Sequence, residues 1–329
     1  MAAIRRPRAL GLCAVVALFG MIAATPAQPP LRAMRWLDPD ADPVRVMLNE
    51  PAECLAAAAD PETAWRIEVG RAAFRTPLLL GGQAARAGVD CATCHRNGRG
   101  NQHFLFPGLS GAAGTADVTS SLLSSHRGDS VDNPVVIPDL GGSAAGMKVA
   151  RTPQGRALET FVHGLVTQEF DGAEPPPAVL DGLAAYVRAI APENCPGNLT
   201  TPITLRREVD VALRAVIAAE GALRRQDSET AQVMLNAART SLGRIDERYS
   251  PPGLERHRER LRRASVALVA IQDRVRQRDP AAAIQLGNWR LRSAAWRAEL
   301  RGHEAQSLFN AVPLRAALGP PVPVTLAIP

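Results

Sequence analysis

Residues 88–100, GVDCATCHRNGRG, put two cysteines and a histidine into five consecutive positions of a 329-residue chain that has five cysteines in all. Cys91-Ala92-Thr93-Cys94-His95 is the Cys-x-x-Cys-His spacing of a c-type haem attachment site. Two intervening residues let both sulfurs reach the two vinyl groups of one porphyrin. The adjacent histidine then offers an imidazole nitrogen to the iron as proximal ligand. A thioredoxin-like redox pair would follow a strand in a βαβ pattern, which the preceding RIEVGRAAFRTPLLLGGQAARAGVD lacks. Zinc would need further ligands at matched spacing, and Cys54 and Cys195 are single and distant. The expected cofactor is one covalent haem c, bound through Cys91 and Cys94, with His95 on the iron.

The rest of the chain sets the context. Aromatic residues make up 4% and apolar residues 46%, so a core must be filled mainly by Ala, Leu, Val and Ile; with this much Ala and Arg the expected fold class is all-α. Residues 1–27 carry Arg5, Arg6 and Arg8, then an uncharged run from Ala9 to Ala24, then small residues. This is the plan of an export signal, with cleavage near Ala27. The apolar run falls short of the ~20 residues of a spanning helix, so the expected location is the periplasm, with a retained N-terminal membrane anchor as the alternative. Charge is divided unevenly: 14 basic against 19 acidic residues over 28–199, and 21 against 13 over 200–329. An exported chain does not call for nucleic acid. The basic half suits an acidic protein, an anionic membrane surface, or the acidic half of its own chain.

The flanks of the motif carry a resemblance. EVGRAAFRTPLLLGGQAARAGVDCATCHRNGRG is similar to the segment leading into a haem site of the di-haem cytochrome c peroxidase family, with a Gly-Arg-x-x-Phe helix and a Leu-Gly turn. GRALETFVHGLVTQEFDGAEPPPAVLDGLAAYVRAI resembles the end of the same domain, so the likeness covers residues 66–191. The family uses two haems, whereas this chain has one motif. The family's aromatic-His-Asp-Gly segment is replaced by ARTPQGRALETF. The resemblance therefore implies a cytochrome c-type domain and carries over the thioether roles of Cys91 and Cys94 and the proximal role of His95.

The sixth iron ligand decides between electron transfer and chemistry at the metal. Met147, in GGSAAGMKVART, is the expected distal ligand; His126, in SSLLSSHRGDSVDNP, is the alternative, and an open site is a third option. His103 is a candidate for the haem edge, and His163 reads as a helix residue. The Gly-, Ser- and Pro-rich loop from Arg96 to Met147 would wrap the haem, with Arg96, Arg99 and Arg127 available to the propionates. In an oxidising compartment Cys54 and Cys195 should pair, closing a long loop worth about 3–5 kcal/mol.

Beyond Thr200 the 3.6-residue period takes over, with Leu205, Val209, Leu213 and Val216 on one stripe and Met234, Leu235, Ala238, Leu242 and Ile245 on the next. Ser250 and Asp279-Pro280 read as starts of two more helices. The division expected is a signal at 1–27, an N-terminal extension at 28–60, the haem domain at 61–199, four helices at 200–310 forming a bundle or stacked αα-hairpins, and an extended tail at 311–329. Trp289 and Trp296 should fill the core. His257 and His303, flanked by charges, should lie at the surface, and ERHRERLRR should be a solvated face. The functional expectation is an exported mono-haem electron carrier with a redox partner protein, its helical part offering an interaction surface. The alternative is a single-haem enzyme acting on hydrogen peroxide at an open iron, helped by Glu169 or Asp171.

Overall fold

The computed structural model describes residues 28–120, 122–126, 131–142, 147–191, 193, 195 and 200–319. Residues 1–27, where an export signal is expected, Arg127 and residues 320–329 lie outside the described residues. What is described is mostly helical, as the composition requires, with four strands of two or three residues.

Proline and aspartate set the early helices. Asp42 accepts from the backbone N–H groups of Val44 and Arg45 to start α1 (Pro43–Leu48), and Asp60 accepts from Thr63 to start α2 (Pro61–Ala73); both have Pro at the first helical position. Then come α3 (Gly82–Ala87), α4 (Cys91–Cys94), α5 (Ala157–Gly164), which runs into a π-turn at Leu165–Glu169, and α6 (Pro177–Ala189). α2 and α6 pack directly on each other. Glycine makes their crossing close, since a Cβ on Gly70 would overlap the carbonyl oxygen of Gly182.

The C-terminal part supplies α7 (Leu205–Arg224), α8 (Ser228–Arg248), α9 (Glu255–Arg276) and α10 (Ala281–Gly302). Each packs on the next, and α10 returns to α7. Asp279 accepts from the N–H of Ala281, as its position before Pro280 suggested. Ser250 does not start α9. Residues 250–254 form a turn in which the Glu255 carboxylate accepts from the N–H of Gly253, so the helix begins only at Glu255. Residues 311–318, expected to be extended, form α11 (Ala311–Leu318), capped by Asn310. Leu314 is fully buried there with Leu31, Val44, Val46 and Met47 of the N-terminal extension, a long-range contact with no local sequence signal. Trp289 is buried, donating to the Ala264 carbonyl at 2.9 Å, and Trp296 lies edge-on to it. His257 is not at the surface: it is 2% exposed, its ring centroid 4.2 Å from that of His303.

One apolar core runs through both halves. Phe74, Leu183 and Tyr186 belong to the same buried cluster as Met234, Leu242 and Ile245, and α2 contacts α7 and α8 as well as α6. The chain enters and leaves its haem-motif part side by side: β1 (Asn49–Pro51) pairs antiparallel with β4 (Thr200–Pro202). Cys54 and Cys195 are disulfide-bonded, with Cα atoms 5.5 Å apart. A second small ladder joins β2 (Thr115–Ala116) to β3 (Val135–Val136). Acid and base from opposite halves meet in Glu50–Arg207, Glu68–Arg214, Glu62–Arg225 and Asp90–Arg244, so part of the charge division is satisfied within the chain. Among the described residues no helix is long and apolar enough to cross a membrane.

Candidate functional site

The CATCH segment is a single helical turn, fixed at both ends. α3 stops at Gly88, whose φ of 78° is the left-handed conformation open to glycine. Asp90 then caps α4: its carboxylate accepts from the N–H of Thr93 at 2.9 Å, while the Thr93 hydroxyl accepts from the N–H of Asp90 at 3.1 Å. At the other end Asn101 Nδ2 donates to the Thr93 carbonyl at 3.0 Å. One turn of helix puts Cys91 and Cys94 on the same face. Cys91 packs against the main core, and Cys94 against the small cluster of Phe104, Ala116 and Ile137. The two sulfurs thus stand where two apolar clusters meet. Burial, followed by the Asp90 carboxylate, pushes both thiols up to about 12, a shift that favours the protonated form over the thiolate.

His95 ends the turn. Its Nδ1 is 3.0 Å from the Pro138 carbonyl oxygen, which can only accept, so Nδ1 carries the proton and Nε2 keeps its lone pair. Pro138 is delivered by the chain leaving β3, two residues beyond Val136. Burial brings the imidazole down to about 4, keeping the ring neutral at physiological pH. Phe74 sits against it with ring centroids 6.4 Å apart. A neutral, oriented imidazole with a free Nε2, beside two thiols on one helical face within apolar walls, fits covalent haem.

Arginines brace the back of the turn. Arg244 of α8 donates to the buried Asp90 carboxylate and, at 3.2 Å, to the carbonyl of Arg75. Arg75, itself buried, donates to the Asn97 side chain and lies 3.6 Å from Glu50 and 3.9 Å from Glu208 of α7. Asn97 holds a φ of 52° and donates to the Pro51 carbonyl at 2.8 Å. Asp90, Ala92, Thr93 and Asn97 face a cavity of about 420 Å³ between the motif and the C-terminal helices. Sequence reading did not single out Arg75, Asp90 or Arg244. The Asp-x-x-Thr cap was readable from spacing alone, whereas the two arginines act on residues distant in the chain.

The other candidates have the following surroundings. His126 is exposed, 3.8 Å from Asp171. His163 pairs with Glu174 at 2.7 Å, and His103 contacts Gln102. Met147 is half-buried in the loop after β3. Arg96 donates to the carbonyls of Val46 and Asn49, and Arg99 is paired with Asp139 at 2.7 Å. Asp171 accepts from both the N–H and the hydroxyl of Ser125 at 2.8 Å, pinning a loop, and Glu169 ends the π-turn. No family model, no curated protein and no solved structure matches this chain.

Proposed function

We propose that the protein is a mono-haem c-type cytochrome that carries electrons in the periplasm. The observation that carries this reading is the pairing of His95 Nδ1 with the Pro138 carbonyl beside Cys91 and Cys94 on one capped turn. Cys91 and Cys94 would hold the haem by thioether bonds, and His95 Nε2 would ligate the iron. When bound, the haem supplies a one-electron couple whose potential depends on its axial ligands and burial. The chain's own part is to fix the imidazole tautomer, exclude water with Phe74 and Phe104, and keep the turn rigid through Asp90, Asn97 and Asn101. For the sixth position we favour Met147: its soft thioether would raise the potential, while the exposure of His126 and its place beside Asp171 argue against the bis-His alternative. α7 to α10 would form an up-and-down bundle backing this cytochrome c-type domain.

The test is maturation in a host with a cytochrome c assembly system. Haem should stay with the polypeptide through denaturing electrophoresis, and Cys94→Ala should lose most of it. Carbon monoxide should leave the reduced spectrum of the parent protein unchanged and shift that of Met147→Ala. Haem that dissociates on denaturation would sink the reading. A prompt carbon monoxide shift in the parent protein would move it toward peroxide chemistry at an open iron.

A further inference from the structure

Of the eight-residue basic excess in the C-terminal half, seven lie on the α9–α10 hairpin, where residues 255–302 hold 12 arginines and 5 acids. Eight of those arginines are exposed, against two exposed acids, Glu255 and Glu259, both at the start of α9. Glu299 is shared by Arg256 and Arg260, and among the described residues Arg292 and Arg301 have no acidic partner. This hairpin lies away from the haem-motif half, which rests on α7 and α8 through α2.

The outer face of α10 is unusual in a second way. At 100° per residue, Ile284, Asn288, Leu291, Ala295 and Ala298 fall on one stripe opposite the buried Leu286 and Ser293. The stripe carries no charge, and Ile284 and Leu291 are 69% and 68% exposed; on α9, Val266 is 66% exposed. A helix apolar on both faces is ordinarily covered on both. Two copies of so basic a face repel each other. An anionic lipid surface needs no shape complementarity and answers both features, headgroups meeting the arginines and the interfacial acyl region meeting Ile284, Leu291 and Val266.

We propose that the outer face of the α9–α10 hairpin docks the protein on an anionic phospholipid surface. The inference does not depend on the haem reading. The experiment is co-sedimentation of the full chain with vesicles of phosphatidylcholine containing about a third phosphatidylglycerol, and with phosphatidylcholine alone. Arg292→Gln/Arg301→Gln and Ile284→Ser/Leu291→Ser are run alongside; all four positions are exposed, and circular dichroism checks the fold. Every variant has the same N-terminus, so differences between them report the hairpin. The parent chain should partition about tenfold or more in favour of the anionic vesicles, release in high salt, and lose severalfold affinity in each double variant. Equal binding to both vesicles, no sedimentation with the anionic ones, or variants that bind as the parent does would overturn the proposal. So would a dimer in light scattering that Ile284→Ser/Leu291→Ser dissolves, because a second copy would then be the cover.

Discussion

The two halves of this molecule are held together by different means. From α7 to α10 each helix has 20 to 22 residues and a buried stripe repeating at the helical period, so each element is specified within its own stretch of chain. Around the CATCH turn the elements are four to thirteen residues long, below or near the length at which a helix is stable alone. Their geometry comes from single bonds to distant residues: Asp90 to Arg244, Asn97 to Pro51, Cys54 to Cys195, His95 to Pro138. A half built on periodic burial tolerates the loss of one contact. A half built on long-range bonds does not.

The sharpest break should come from the disulfide. Replacing Cys54 and Cys195 with Ser removes a cross-link spanning 141 positions and should cost about 3–5 kcal/mol by the chain-entropy account. Denaturant midpoints of the oxidised parent and the double variant measure it, and an unchanged midpoint would refute it.

Next is Arg244→Met, which strands the buried Asp90 carboxylate. We expect a loss of about 2–3 kcal/mol, below the full cost of breaking a buried pair because Arg244 is partly exposed. Adding Asp90→Asn should recover part of it; a double variant no better than the single would show that the pair is not the cause.

The C-terminal half offers a pH-dependent counterpart. Burial, then the neighbouring His303, lowers the pKa of His257, while Glu299 opposes the shift. The unfolded chain therefore takes up a proton near pH 6.5 that the folded chain refuses. Stability should be full above that pH and decline as pH falls below it. His257→Leu should flatten this decline between pH 7 and 5 in denaturation midpoints, and an equal slope in both proteins would assign the effect elsewhere. The smallest effect is expected from Thr93→Val, which removes one side of the α4 cap and should cost about 1 kcal/mol, read as faster amide exchange at residues 91–95.

Legibility followed the same division. The four long helices could be read from spacing because burial repeats within each, and the CATCH segment because its two cysteines and its histidine are neighbours in the chain. The Cys54–Cys195 bond was reached by elimination. What escaped was tertiary in origin. The charged neighbours of His257 gave no sign that Tyr249 and His303 would enclose it. Nothing near Leu314 shows that residues 31–47 will cover it, and Ser250-Pro251 imitates a helix start where the chain only turns. Arg75 and Arg244 look like two more arginines in an Arg-rich chain until their partners are seen.

The Asp90–Arg244 contact spans 154 positions, and the disulfide spans 141. A chain made from its N-terminus therefore presents the CATCH turn long before either lock exists. Cys195 and Arg244, which complete these two locks, both follow the thiols and the imidazole in the chain.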